Sequence, residues 1–593
     1  MNCVVIHAHF YQPPREDPWL DEIERDPEAA PYHDWTTRVA HECYRGVVAA
    51  RVLDREARIR RLVNTLAYAS FDVGPSLLAW LERRMPNVYE RVLAADRMSV
   101  ARVGHGNAVA HPYDHVVLPL ASRRDKTTLV RWGIADFARR FGRAPEGMWL
   151  PETAVDDETL DVLAEQGIRF TILAPQQVTN APAGGAPGRY TTASGREIAL
   201  FTYDAGLSSG VAFGGLLRDG KRLAERLASH GTPHVAAHGT PHVAAHADAS
   251  HMAVESLVAV VTDGETYGHH QPFGDMALAA AIDGLEREQR ARIENFASYL
   301  ARHPATHPVD IVAPSSWSCA HGIDRWRTGC GCGVTPGTND RWRAPLRQAI
   351  DALVADGHAV FEREGGAIFG DAWGARDACE AGAAGAYPPA NAHEPPLDET
   401  EMRARELLEM ERHLLRAQTS GAWYFDDINR PELLVVLRAA ARAIELAGPA
   451  GADMEHAFLE RLGGALSSDP SVGNARELYV RRARPPQTPA VRVAAGYATV
   501  RRFGLRGDAE VPDAWSAAAD GHTVLLVERR TGRRWAFDVL VDVPGSPVAP
   551  HGVRATPPLG QAAVSPHAEG HEHSAGRGAA PVRLADVDPR AIT

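Results

Sequence analysis

Apolar residues in the first half of the chain fall into short runs rich in β-branched side chains: "CVVIHAH" (3–9), "RLVNT" (61–65), "MSVARVGHGN" (98–107), "EGMWLPE" (146–152), "IRFTILAP" (168–175), "EIALFTYD" (197–204) and "SLVAVVTD" (256–263). Runs of this length bounded by turn-forming residues predict strands. Between several of them the apolar spacing is helical. "PSLLAWLERRMPNVYERVLAADR" (75–97) reads as one amphipathic helix with Pro near its start, and "DDETLDVLAEQG" (156–167) opens on acidic capping candidates and stops at Gly167. Strand–helix alternation predicts an α/β fold built on a mostly parallel sheet, open or closed into a barrel. From about residue 340 to 505 the pattern becomes mainly helical, as in "EMRARELLEMERHLLRAQ" (401–418) and "RPELLVVLRAAARAIELA" (430–447).

Polar residues sit where the apolar runs stop. His7 and His9 close the first, Asn64 the second, His105 and Asn107 the third, Glu152 the fourth; Gln176 and Gln177 follow the fifth, Asp204 ends the sixth and Asp263 the seventh. In a parallel barrel all strand C-termini share one face, where active sites form. Polar strand ends are common one at a time; seven in series point to a site. Glu152 follows Trp149, Leu150 and Pro151, an apolar setting that tunes a carboxyl group, with an aromatic face suited to a sugar. Asp263 precedes Gly264, which permits close backbone approach. Two carboxylates from different strands can flank a glycosidic bond, one as nucleophile and one as acid/base, when about 5–5.5 Å separates them. As the strand-ending residue, Asp263 is expected to be the proton donor. Glu265, beyond Gly264, is expected to orient the loop or bind a hydroxyl. Each carboxylate also has a plain alternative as a helix N-cap, turn residue or ion-pair partner.

Composition narrows the partners. The 593 residues carry 63 basic and 75 acidic side chains, a net charge of −12, which argues against nucleic acid or an anionic membrane as the main partner. The first residues carry neither a basic segment nor a long apolar segment of the secretory kind, and six cysteines in so long a chain do not make a disulfide framework. A cytoplasmic location is expected.

The motifs "HAHFYQPP", "GHGNAVAHPYDHVVLPL", "GMWLPETAVD" and "TDGETYGHH" together resemble the ordered motifs of glycoside hydrolase family 57. The longer stretches "NTLAYASFDVGPSLLAWLE", "SSWSCAHGIDRWRTGCGC" and "TSGAWYFDDI" resemble its branch carrying the DUF3536 domain, a likeness running from residue 1 to about 505. That family holds α-amylase-like, glucanotransferase, branching and α-galactosidase-like enzymes. The resemblance implies a (β/α)7 distorted TIM-like barrel over 1–315, a subsite loop and helical bundle over 316–508, and a shortened β-hairpin with a largely disordered tail over 509–593. It implies a retaining α-glycosidase or α-glucan transglycosylase acting on an α-linked oligo- or polysaccharide, with Glu152 as nucleophile and Asp263 as acid/base and no cofactor or metal. His7 and His9 match the first motif, where histidines line the sugar subsite. Phe10 and Tyr11 stand between His9 and Gln12–Pro13, where the family often has His directly before Gln-Pro, and this departure leaves the role of Gln12 open.

Further candidates for substrate binding are Asn64, His105, Trp149, Glu265 and His269 around the strand ends, Trp317, His321 and Trp326 in "SSWSCAHGIDRWR", and Trp423 and Asp426 in "TSGAWYFDDIN". Aromatic faces take sugar CH groups, while charged and imidazole groups take hydroxyls. Cys319, His321, Cys330 and Cys332 offer three sulfurs and one nitrogen to zinc, but their spacing is tighter than in common zinc modules, and thiols packing a loop is the reading taken. Residues 230–245 are "HGTPHVAA" twice in tandem, read as a slippage insertion in a surface loop. Two other readings stay open. His7 and His9 invite a metal-dependent hydrolase on a related barrel, a deacetylase or an α-mannosidase, although the zinc mannosidase pattern needs an Asp shortly after the paired His, where this chain has Phe10, Tyr11 and Gln12. The other reading is a catalytically inactive carbohydrate-binding protein.

Overall fold

The structure is a computed structural model that describes residues 2–229, 255–379, 387–484, 489–503, 511–542 and 552–556. The tandem repeat at 230–245 and residues 557–593 lie outside the described residues. Packing divides the chain into two units, one of residues 1–13 and 25–323, the other of 14–24 and 324–593.

The first unit is a closed ring of seven parallel positions. Five are strands: β1 (Cys3–Phe10), β2 (Ser70–Val73), β3 (Phe170–Leu173), β4 (Glu197–Thr202) and β5 (Leu257–Asp263). β1 lies between β5 and β2, and β3 pairs with β4, all parallel. Two short segments complete the series through the parallel bridges Phe71 to Ala108, Ala110 to Met148 and Gly147 to Phe170. The Asp204 amide, just past β4, donates to the Ala259 carbonyl of β5 at 2.8 Å and closes the ring. This is the (β/α)7 barrel.

Two of the seven positions differ from the sequence expectation. Residues Ile59–Val63 form an antiparallel hairpin with Ala50–Leu53, outside the ring, and the second position is Ser70–Val73. The single helix expected over 75–97 is two, Pro75–Arg84 and Pro86–Val103, because Pro86 disfavours helical geometry at Met85 and opens a new first turn. Nothing then stops the second helix before Gly104, whose left-handed φ of 81° caps it. It absorbs residues 98–103, and the third position moves to 108–110. Helix Asp157–Glu165 starts as expected, with the Asp156 carboxylate accepting from the Thr159 amide at 2.8 Å.

Side chains alternate across each strand, so Cys3, Val5, His7 and His9 share one side of β1, and the registered Leu257, Ala259, Val261 and Asp263 share the same side of β5. The deeper members, Cys3, Val5, Leu257, Ala259 and Val261, pack in one buried cluster with Val109, Trp149, Phe170, Ile172, Phe201 and Phe296. That side is therefore the barrel interior: apolar below, polar at the C-terminal mouth.

The second unit is helical through Arg343–Phe369, Glu399–Arg416, Pro431–Leu446 and Pro489–Phe503. Its C-terminal part is larger than the expected hairpin. Trp515–Asp520, Thr523–Glu528, Arg534–Asp542 and Gly552–Thr556 make a four-stranded antiparallel meander. Trp515, Leu526 and Phe537 bury one face of it against Ala490, Val493 and Leu20. A two-stranded hairpin is marginal alone; the added strands and the packed helix make the element stable. Among the described residues no helix is long and apolar enough to cross a membrane.

The turn after β5 depends on one glycine. A Cβ on Gly264 would lie 2.3 Å from the Phe10 ring. Gly264→Ala is expected to lower the unfolding free energy by about 1–3 kcal/mol, the usual range for overpacking a filled site, as measured by denaturant titration against the parent chain.

Candidate active site

β1 supplies the centre of the mouth. Its register sets His7 beside Ser70 and His9 between Asp72 of β2 and Asp263 of β5. Asp72 is fully buried and bridges two imidazoles, with His7 Nε2 at 3.1 Å and His9 Nδ1 at 2.8 Å; Ser70 Oγ meets His7 Nδ1 at 3.0 Å. A buried carboxylate is sustained only by such partners. Burial opposes its charge, but the two histidines prevail and hold Asp72 down at about 2. Burial lowers His7, whereas at His9 the desolvation is outweighed by Asp72, Asp263 and Glu265, pushing it up to about 9. Trp149, fully buried, stacks on His7 at 5.0 Å and on His9 at 5.1 Å. It backs the imidazoles, and the platform expected of it has no free face.

Glu152 stands on a strained turn. The chain leaves the barrel at Trp149, Pro151 opens a single 3-10 turn, and Glu152 (φ 58°) and Thr153 (φ 46°) are both left-handed. Such backbone in non-glycine residues persists only where surrounding contacts over-determine it. Here Gln177 takes hold of Thr153: its amide donates to the Thr153 carbonyl at 2.8 Å, and its oxygen accepts from Thr153 Oγ1 at 2.9 Å. The Trp317 amide donates to the Glu152 carbonyl at 3.1 Å. Ser318 Oγ and Trp317 Nε1 donate to Glu152 Oε2 at 3.1 and 3.4 Å. Burial and the Asp263 charge raise the Glu152 carboxyl, against those two donors and His9. Asp263, at the mouth, is also raised: desolvation by the surrounding barrel wall is the largest cause, His9 and His270 oppose it, and the Asp72 charge adds to it.

Glu265 is buried behind this pair. Tyr44 Oη donates to its Oε1 at 2.6 Å and the Tyr11 amide reaches the same oxygen at 3.3 Å. Gln12 bonds the Tyr44 hydroxyl, which links it to Glu265. Cys43 Sγ caps the Gly264 carbonyl at 3.3 Å. Burial pushes Glu265 up to about 7, the Tyr44 bond acting against it. Of the adjacent histidines, His269 is paired with Glu42 at 2.5 Å, and His270 is the one whose charge acts on Asp263.

The structure brings His7, His9, Trp149, Glu152, Asp263, Trp317 and Glu265 together, with Gln12 one bond away. It does not bring Asn64 or His105 to them. Asn64 follows the outlying hairpin and donates to the Arg91 carbonyl at 2.8 Å. His105 precedes its barrel segment instead of ending it, and pairs with Glu146, which also precedes one, at 2.8 Å. His321 is exposed in the loop after Trp317. In the second unit, Trp326 and Trp423 are fully buried, so neither offers a face to a sugar. Trp423 lies under the Arg347 guanidinium at 4.0 Å and donates to the Arg343 carbonyl. Asp426 accepts from the Val334 and Thr335 amides at 2.9 and 2.7 Å, tying down a loop of that unit. Asp72, Tyr44, Ser318, His111 and His115 were not singled out from sequence, whereas Gln177 was read there as a polar residue following its strand. For Asp72 the available signal was a carboxylate inside "SFDVG", an apolar run ended by a glycine.

Both units have matches among known proteins. Residues 76–311 match the family model "Glycosyl hydrolase family 57", and residues 339–511 match "Domain of unknown function (DUF3536)". "Alpha-amylase 1" of Dictyoglomus thermophilum is 28% identical over 98 residues, 16% of this chain and only 13% of that protein's length. The crystal structure of an exo-type maltose-forming amylase from Pyrococcus sp. ST04 superposes with a TM-score of 0.56 at 14% identity, over 85% of this chain and 94% of that one, a likeness of fold.

The Glu265 environment predicts a pH signature. Its carboxyl rises from 4.5 to about 7 on folding, so the folded state holds the proton more tightly than the unfolded chain. The stability this contributes is complete below the unfolded value and is lost as pH rises through the folded one. Relative to Glu265→Gln, the unfolding free energy of the parent should fall between pH 4.5 and 7, by about 1.4 kcal/mol per unit at most. Denaturant titrations of both proteins across that range check it; parallel profiles would contradict a raised Glu265.

Proposed function

Since the chain belongs to glycoside hydrolase family 57, in its DUF3536-bearing branch, we propose that it is a retaining α-glycosidase or α-glucan transglycosylase, with Glu152 as nucleophile and Asp263 as general acid/base. The observation that carries this reading is the electrostatic coupling of two raised carboxyls, Glu152 and Asp263, at the C-terminal mouth of one barrel, with His9 acting on both. Repulsion between two neighbouring carboxyls disfavours ionising both and favours a proton on one of them. Ser318 and Trp317 donate to Glu152, which favours its ionised form. Among the described residues no hydrogen bond reaches the Asp263 carboxyl, and we assign it the proton-donor role. That division is the one a double displacement needs. Ionised Glu152 attacks the anomeric carbon while Asp263 protonates the departing oxygen; Asp263 then takes a proton from water, or from an acceptor sugar hydroxyl, as that oxygen displaces Glu152. His9 lines the wall of the mouth beside both carboxylates, His7, fully buried with both ring nitrogens bonded, holds Asp72 beneath it, and Trp317 offers an aromatic edge beside Glu152. Glu265, Tyr44 and Gln12 brace the turn that carries Asp263.

A screen of α-glucans and aryl α-glycosides, with product analysis for hydrolysis against transfer, tests the activity and the acceptor. Glu152→Gly should lower turnover of an activated aryl glycoside by several orders of magnitude. Added azide should then restore part of it, giving a glycosyl azide of inverted configuration. A variant that keeps the parent's turnover on a substrate the parent cleaves would remove Glu152 as nucleophile.

Asp263→Asn should abolish cleavage of glycosides with poor leaving groups and partly spare the activated ones, which need little protonation. Here azide acts in the second step and gives the retained product. If Glu265→Gln shows the selective pattern and Asp263→Asn loses both substrates equally, the proton donor is Glu265.

A further inference from the structure

We infer that His9, His111 and His115 form a binding site for a divalent transition-metal ion of the zinc class. The three imidazoles are buried, 6%, 3% and 4% exposed, and each offers a ring nitrogen within 4.8 Å of the other two. His9 Nε2 and His115 Nε2 are 3.3 Å apart. Two nitrogens at the usual zinc distance of about 2.0–2.1 Å, subtending a tetrahedral angle, stand about 3.3–3.4 Å apart. At His9 and His111 the other ring nitrogen is already committed in the pattern that prepares imidazole for a metal. His9 Nδ1 is held by the Asp72 carboxylate at 2.8 Å, and His111 Nδ1 donates to the Pro112 carbonyl at 2.5 Å. Each such bond leaves Nε2 facing the cluster, where at His9 the metal ion takes the place of the imidazolium proton. A proton shared between His9 and His115 would satisfy those two, but it leaves His111 Nε2, which is buried and has no hydrogen-bond partner. A metal ion accounts for all three.

The rings are held in place before any ion binds. Tyr11 stacks on His115 with centroids 4.0 Å apart, and Trp149 stacks on His9. The His111 backbone is pressed against helix Arg123–Phe141, where only a glycine fits: a Cβ on Gly133 would lie 2.2 Å from the His111 carbonyl oxygen. Three imidazoles and no thiolate suit zinc, cobalt, nickel or copper better than magnesium or calcium. Three protein ligands leave a position for water or a substrate hydroxyl.

The full-length protein is stripped with chelator and titrated with Zn2+ against a chromophoric competitor, and with Co2+ by visible spectroscopy. The expected cobalt complex has d–d bands without the sulfur-to-cobalt charge transfer that cysteines 319, 330 and 332 would produce. His111→Gln should abolish it, and Asp72→Asn should weaken zinc binding by about 10–100-fold through loss of the bond that orients His9. His115→Gln serves if the first variant does not fold, as judged by circular dichroism, and the parent's own cobalt spectrum is decisive without either. Failure to bind metal by the folded parent, a cobalt spectrum with sulfur character alone, or unchanged zinc affinity in a folded His111→Gln or His115→Gln would overturn the site. Metal binding is read here without any glycoside, so its failure and failure of the glycosidase reading are distinguishable.

Discussion

A carboxylate with no access to water must be matched by donors, and Asp72 meets that constraint with two imidazoles from one strand. The pairing works because β1 and β2 are parallel and in a register that sets His9 opposite Asp72, while period-two alternation turns His7 and His9 the same way. It settles which ring nitrogen of His9 faces Asp72 and which faces His115. It also keeps a positive charge in the mouth, where two further carboxylates need one. Without Asp72 the burial of His9 would favour its neutral form.

The carboxylates around that charge are handled differently. Glu152 sits on left-handed backbone held by Gln177 and by the segment at Trp317, and it receives hydrogen bonds. Asp263 ends a regular strand and faces solvent in the mouth. Glu265, two residues on, is buried beneath Tyr44. Three acids of similar intrinsic strength thus acquire three environments, and the roles proposed for them, nucleophile, proton donor and brace, rest on that difference.

Much of the architecture was legible. Five of the seven barrel positions coincide with apolar runs read from the chain, and both carboxylates assigned to catalysis lie at the C-terminal ends of such positions. The failures were local. Ser70–Val73 is four residues long and buried throughout, so it lacks the alternation that marks a half-exposed strand. Choosing the hairpin drew Asn64 into the candidate site and left Asp72 out. His105 was misplaced because the helix from Pro86 runs to Val103, turning a supposed strand end into a strand approach. Trp326 and Trp423 have the composition of a sugar platform, but composition does not say whether a ring faces solvent or a core.

By itself the sequence determined the alternation of strand and helix, the placement of polar residues at strand ends and the motifs that mark the family. These are properties of neighbours along the chain, and periodicity reports them directly. Only the tertiary structure decided that His9 shares Asp72 with His7, that Gln177 props the turn at Glu152, and that His111 and His115 converge on His9. Each of those contacts joins residues far apart in the chain. It depends on which strands pair and in what register, a choice settled by closure of the whole barrel and not by any segment alone.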